Sequence, residues 1–145
     1  MKLLKLILIY IINITIFSCV NINKEIDNEL VTVNHNKISP SGSYELILIY
    51  DNENYYYYFK ILGKNNNMVY INEERFYRRH ALFICWDEKE DIVWCYSGDI
   101  GTYYWINENN EWKKHAYFTE NIQYEENENN ITPPKIFKKL RPNRF

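Results

Sequence analysis

Cys19, Cys85 and Cys95, with His35, His80 and His115, are the residues able to act as nucleophiles or soft metal ligands. None of the histidines sits in an H-E-x-x-H, C-x-x-C or His-x-His arrangement, so no spacing assembles a metal set and no metal is expected. Cys85 and Cys95 lie in apolar, strand-like runs, where a thiol is held protonated rather than activated. Asp87-Glu88-Lys89-Glu90-Asp91 is rich in carboxylates. It lacks the glycine and the final glutamate of a calcium loop and reads as a solvated hairpin turn. There is no G-x-S-x-G and no glycine-rich phosphate loop. Asp99, beside Gly98 and Gly101, is the best single acidic candidate, and its expected role is to accept a turn N–H. A carboxylate pair for glycoside hydrolysis need only meet in space and leaves no mark in a sequence. The expectation is a protein with no catalytic residue, no cofactor and no metal.

The aromatic residues are the second chemical resource. The chain holds 14 Tyr and 4 Trp, and aromatics make up 17% of it. Tyr55-Tyr56-Tyr57-Tyr58-Phe59 is the densest run. A strand alternates its faces, so Tyr56 and Tyr58 must point opposite to Tyr55, Tyr57 and Phe59. Either both faces are buried or one displays aromatic rings. Trp94, Tyr96, Tyr103 and Trp105 form a second group across a hairpin. Together with Tyr56 and Tyr58 they are the candidate aromatic binding face, with ordinary core packing as the alternative.

These residues need a scaffold, and the pattern supplies strands. Alanine is nearly absent while Tyr, Ile and Val abound, which disfavours helix and favours strand. Short apolar or alternating runs cover residues 30–33, 44–50, 55–62, 68–71, 80–86, 92–96, 102–106 and 112–118. Turn-formers separate them. About eight short strands at this spacing predict an all-β fold, an antiparallel sandwich or open barrel. Residues 72–79 are the one mid-chain segment expected as a loop or a helical turn. In Ile92-Val93-Trp94-Cys95-Tyr96, one face carries Ile92, Trp94 and Tyr96, and the other Val93 and Cys95. If Tyr96 pairs with Tyr103, then Trp94 pairs with Trp105 in an aromatic ladder. Ser39-Pro40-Ser41-Gly42-Ser43-Tyr44 resembles the turn-into-strand of β-propeller blades. Two four-stranded blades are too few to close a propeller, so the motif is taken as a shared hairpin solution.

The tail changes character. Residues 120–130 are acidic and Asn-rich, and Ile131-Thr132-Pro133-Pro134 is a stiff break. Lys135, Lys138, Lys139, Arg141 and Arg144 then follow with no acid between them. Ile136, Phe137 and Leu140 are spaced for one face of a short helix packed on the sheet. The sharper alternative is a basic patch against anionic lipid or an acidic partner.

At the other end, Lys2 and Lys5 precede an apolar run of about 12 residues from Leu6 to Phe17, and Ser18-Cys19 follow. A basic start, a short apolar run and a small residue before a cut are the parts of a secretory signal. The run is short of the roughly 20 residues a spanning helix needs. Ile16-Phe17-Ser18-Cys19 resembles the lipobox of bacterial lipoproteins. That resemblance covers residues 1–19 and implies cleavage before Cys19 and lipidation of its thiol. Two or three acyl chains hold a protein stably on a bilayer. By the same resemblance, Val20 in place of an aspartate implies the outer membrane. The segment from Trp86 to Trp105 is similar to stretches of small uncharacterised bacterial envelope proteins, which imply no activity.

The expected organisation is a signal peptide over 1–18, a tether over 19–29, a β-domain over 30–119, and an acidic linker with a basic tail over 120–145. Removing residues 1–18 takes away Lys2 and Lys5 and leaves 15 Lys+Arg against 19 Asp+Glu, a net charge of −4. A nucleic-acid partner, which would call for a basic face, is not expected. Lipidation of Cys19 leaves Cys85 and Cys95 in an oxidising compartment. They can bridge if they sit opposite across the hairpin, and a one-residue change of register puts them on opposite faces. The alternative is two reduced cysteines used as small core residues. The function that fits is a lipid-anchored cell-envelope protein whose non-enzymatic β-domain binds another protein. The second reading is a glycan- or peptidoglycan-binding module that uses exposed Tyr and Trp.

Overall fold

The computed structural model describes residues 28–118 and 131–145. The expected signal peptide, Cys19, most of the expected tether and most of the expected acidic linker lie outside the described residues. The fold is an all-β sandwich of two antiparallel sheets with one short helix near the C-terminus. The first sheet holds β1 (Lys37–Ile38), β2 (Glu45–Asp51), β3 (Tyr56–Leu62), β4 (Met68–Ile71) and β5 (Phe76–Tyr77). Its order is β1-β2-β3, with β4 and β5 sharing the far edge of β3. The second sheet is a meander of β6 (Leu82–Trp86), β7 (Ile92–Ser97), β8 (Gly101–Glu108) and β9 (Glu111–Phe118). Helix α1 spans Lys135–Leu140.

Alternation places the core as expected on β2 and β3. Leu46, Leu48, Phe59 and Ile61 point inward and meet Ile84, Trp86, Val93, Cys95, Trp105 and Trp112 of the second sheet. Phe59 and Trp105, both fully buried, pack edge to face with centroids 4.9 Å apart. The Trp105 indole N–H donates to the Tyr70 hydroxyl at 2.9 Å, so its polar atom is satisfied inside the core.

The second sheet is covered on its other face too. Leu30, Cys85, Ile92, Trp94, Tyr96, Tyr104, Ile136 and Phe137 form a second buried cluster. This explains why every residue of β7 is buried and why the strand reads as a continuous apolar run. Ile136 and Phe137 are the inward face of α1, as their spacing predicts, while Lys135, Lys138 and Lys139 remain exposed. The basic tail is thus part of the fold.

Turns follow from asparagine rather than glycine. The chain has only 4 Gly. Among the described residues, the non-glycine positions with positive φ are, apart from Tyr55, all asparagines: Asn65, Asn66, Asn109 and Asn110. Asparagine tolerates the left-handed region better than other L residues. Asn109 and Asn110 (φ 56° and 68°) close the two-residue loop between Glu108 and Glu111, where a primed turn needs positive φ at both positions.

Three expectations are corrected. Leu30–Val33 is not a strand: Val33-Asn34 turn back so that Thr32 and His35 make an isolated bridge. Leu30 and Val31 instead plug the two cores. Two short strands are added, β1 and, within 72–79, β5, so the described residues hold nine strands. The aromatic ladder is also shifted by one. Ser97 pairs with Gly101, which sits at φ 104°, so Tyr96 meets Thr102 and Trp94 meets Tyr104. The tighter turn flips the faces of β8 relative to the expected register. Trp105 therefore enters the inter-sheet core opposite Val93, and Tyr104 stacks beside Trp94 at 5.1 Å.

Candidate functional site

The first sheet has only one covered face. Its register places Ile38, Glu45, Leu62 and Met68 along one row of the outer face, then Ile47, Lys60 and Ile71. Ile49 and Tyr58 form the next row, and Asp51, Tyr56 and Tyr77 the last. The large hydrophobic residues that remain exposed are Val33, Ile38, Tyr55, Met68, Val69, Ile71 and Tyr77. All but Val33 belong to the first sheet or its turns. An apolar face of this kind, left uncovered, marks an interaction surface more often than it marks chance.

Arginine is built into this face. Arg75 Nη1 donates to the carbonyls of Asn72, Glu73 and Glu74 at 2.9, 3.0 and 3.1 Å. Thus fixed, its guanidinium lies 5.2 Å from the Tyr56 ring centroid and 5.0 Å from that of Tyr58. Arg79 lies over Tyr77 at 5.9 Å, while Arg78 reaches Tyr50, on the inward side of β2, at 5.8 Å. The loop that feeds these residues is set by Asp51. Its carboxylate accepts from the Asn54 side chain and from the Glu53 and Asn54 backbone N–H groups at 2.9–3.0 Å. Those bonds, the Asn54 side chain first, hold the Asp51 carboxyl below the usual carboxylate range.

The predicted aromatic face is therefore divided. Tyr56 and Tyr58 lie on the uncovered face, half-buried under Arg75. Trp94 and Tyr96 are buried beneath α1, and Trp105 is buried between the sheets. Tyr103 is half-buried, with Lys114 Nζ 3.8 Å from its ring centroid. Lys114 also pairs with Glu74, which ties β9 to the edge of the first sheet. The sequence reading missed Ile38, Ile47, Ile49 and Ile71, and it missed Arg75, Arg78 and Arg79. The signal was present: residues 45–50 and 55–62 are apolar on both strand faces, while only one face of a sheet meets its partner sheet.

The cysteines do not pair. Ile84 is opposite Cys95 and Cys85 is opposite Trp94, a one-residue offset that sends the thiols to opposite faces of the sheet. Both are free and buried, which corrects the disulfide expectation. Burial pushes both thiols well above the ordinary range, so neither is a nucleophile at neutral pH. Native protein should react with less than one equivalent of an aromatic disulfide reagent at these two positions, and fully with both in denaturant. Protection of neither, or an intact bridge by mass, would contradict this register.

The remaining candidates have structural partners. Asp87 Oδ1 accepts from Lys89 N at 2.9 Å, and its other oxygen from the Trp94 indole at 3.3 Å. Glu88 pairs with Lys135 at 3.0 Å, fastening the turn to α1. Asp91 accepts from Ser41 N at 3.0 Å. Asp99 accepts from the Ser97 hydroxyl rather than from a turn N–H. His80 accepts from Arg79 Nε at 3.0 Å, and His115 stacks on Tyr104 and bonds Glu108. Among the described residues no three His, Cys, Asp or Glu side chains converge as a metal set. Among them, too, no helix is long and apolar enough to cross a membrane. No family model, no curated protein and no solved structure matches the chain.

Proposed function

We propose that this chain is a lipid-anchored cell-envelope protein, held through Cys19 at the outer membrane, whose β-domain docks a partner protein on the outer face of the first sheet. The observation that carries this reading is the concentration of exposed Ile, Met and Tyr on the one sheet face without a cover. The partner surface it fits is apolar at the centre and carries carboxylates at the rim. Arg75 and Arg79 supply the complementary charge beside the apolar rows. Tyr and Arg are the residue types that most often dominate protein interfaces, and charged groups belong at the rim. The reading is non-enzymatic: Asp87, Glu88, Asp91 and Asp99 are engaged in turn and helix contacts, and both thiols are buried.

The glycan reading is weaker on this geometry. A sugar stacks on an open aromatic face, and Arg75 already covers Tyr56 and Tyr58. Among the described residues only Tyr55 and Tyr77 leave large exposed ring area.

A photo-crosslinking amino acid at position 71 tests the docking face in membranes, with position 111 on the second sheet as the control. Position 71 should give a discrete protein adduct and position 111 should not. Tyr77→Ala and Ile49→Lys should each cut the adduct on the order of tenfold, the effect of losing one strong interface contact. Equal adducts from both positions, or none from position 71, would sink the reading. Radiolabelled palmitate tests the anchor separately: the wild type should take label and Cys19→Ala should not.

A further inference from the structure

The outer face ends in an open recess of about 620 Å³ lined by Tyr55, Tyr77, Arg78 and Arg79. We infer that this recess binds a phosphate-type oxyanion carried on an apolar or lipid group.

Its chemistry is a pair of guanidiniums beside two exposed phenol rings. Arg78 and Arg79 are adjacent in sequence, and among the described residues neither has a carboxylate within ion-pair distance. Asp51, at the neighbouring β2–β3 turn, accepts from Glu53 and Asn54 instead. Two neighbouring unpaired cations raise the local potential and attract anions. The guanidinium fork matches the paired oxygens of a phosphate, and cation–π contacts with Tyr50 and Tyr77 orient the two side chains.

A second observation points to the same place. Tyr55 adopts φ 58°, in the left-handed region that a bulky side chain seldom enters. It is held there by Tyr55 N donating to Asp51 O at 2.9 Å and Arg78 N donating to Tyr55 O at 3.2 Å. The ring this strained residue presents is 63% exposed, so burial of that ring does not account for the conformation. What the conformation does achieve is to bring Tyr55 into the lining of the recess together with Tyr77 and the two arginines. Backbone strain held at a surface in this way is a mark of binding loops. The rings supply apolar area for whatever bears the phosphate, and their hydroxyls are further donors.

The oxyanion can come from a phospholipid headgroup or from a free phosphate ester, and one titration series separates them. Inorganic phosphate, followed by NMR of the Tyr55 and Tyr77 rings, should saturate with a Kd on the order of millimolar, the range expected of a small weak ligand. Arg78→Gln/Arg79→Gln should weaken it on the order of tenfold or more, and Arg78→Lys by less, since it keeps the charge and loses the fork. Co-sedimentation with phosphatidylglycerol vesicles but not phosphatidylcholine vesicles, lost in the double variant, assigns the site to lipid. Phosphate binding without vesicle binding assigns it to a free ester. An equal response to chloride at matched ionic strength, or unchanged binding by the double variant, overturns the site. All variants are checked for the wild-type circular dichroism first; both side chains are exposed, so the fold should hold.

Discussion

Phe137→Ala should lower stability by about 3–5 kcal/mol, the range for removing a fully buried aromatic side chain. Phe137 is 0% exposed and is the plug that α1 inserts over the second sheet. Its ring lies 6.3 Å from Phe83, 6.5 Å from Tyr96 and 5.8 Å from Phe145. A helix of six residues cannot hold itself together in water, so α1 depends on this contact and on Ile136. The loss would uncover Trp94, Tyr96 and Tyr104 together. Urea unfolding and near-UV circular dichroism would read both effects, and the melting temperature should fall by at least about 10 °C. Lys138→Ala, on the exposed side of the same helix, should change stability by no more than about 0.5 kcal/mol. A Phe137→Ala loss as small as that of Lys138→Ala would mean that α1 does not cover the sheet.

Asn72→Leu should cost about 2–4 kcal/mol, the sum of lost bonds and a stranded buried donor. Asn72 sits where the edge partner of β3 changes from β4 to β5. Its backbone N–H donates to Phe59 O at 3.1 Å, and its side-chain oxygen accepts from Phe59 N at 2.6 Å. The side-chain nitrogen donates to Glu74 O at 2.9 Å. The asparagine thus completes the ladder with a side chain at the point where two short strands meet. It is 1% exposed, so water cannot replace the missing acceptor. Leucine keeps the branched outline of the side chain and has neither the oxygen nor the N–H donors. Hydrogen exchange of the Phe59 amide should speed up well beyond the change in global stability. An unchanged Phe59 exchange rate would show that another acceptor serves it.

Asn72 also illustrates where sequence reading stops. The strands were legible because alternation and turn residues are local. The two-faced burial of β7 was legible for the same reason, in the continuous run Ile92-Val93-Trp94-Cys95-Tyr96. Register was not. A loop shorter by one pairing step moved Trp105 from the ladder beside Trp94 into the inter-sheet core. The same kind of offset separated Cys85 from Cys95. These outcomes depend on how the turn at Gly101 and the turn over 87–91 close, which composition does not encode. The candidate face was half legible. Tyr56 and Tyr58 were picked by alternation, but Arg75 reaches them from a segment 17 residues further on than Tyr58 through three backbone carbonyls. No periodicity reports a side chain fixed by backbone acceptors.

The second buried cluster joins Leu30 to Ile136 and Phe137, and this sets an order of events. A chain that emerges N-terminus first can pair β2 with β3 and close the later hairpins as they appear. It cannot cover Trp94 and Tyr96 until residue 137 is free to return. Until then the second sheet shows water a broad aromatic surface, and closure over so long a separation is slow. Such a chain stays unfinished until its last residues are free and locks only when the last contact is made, so the C-terminal turn of helix is the step that commits the fold.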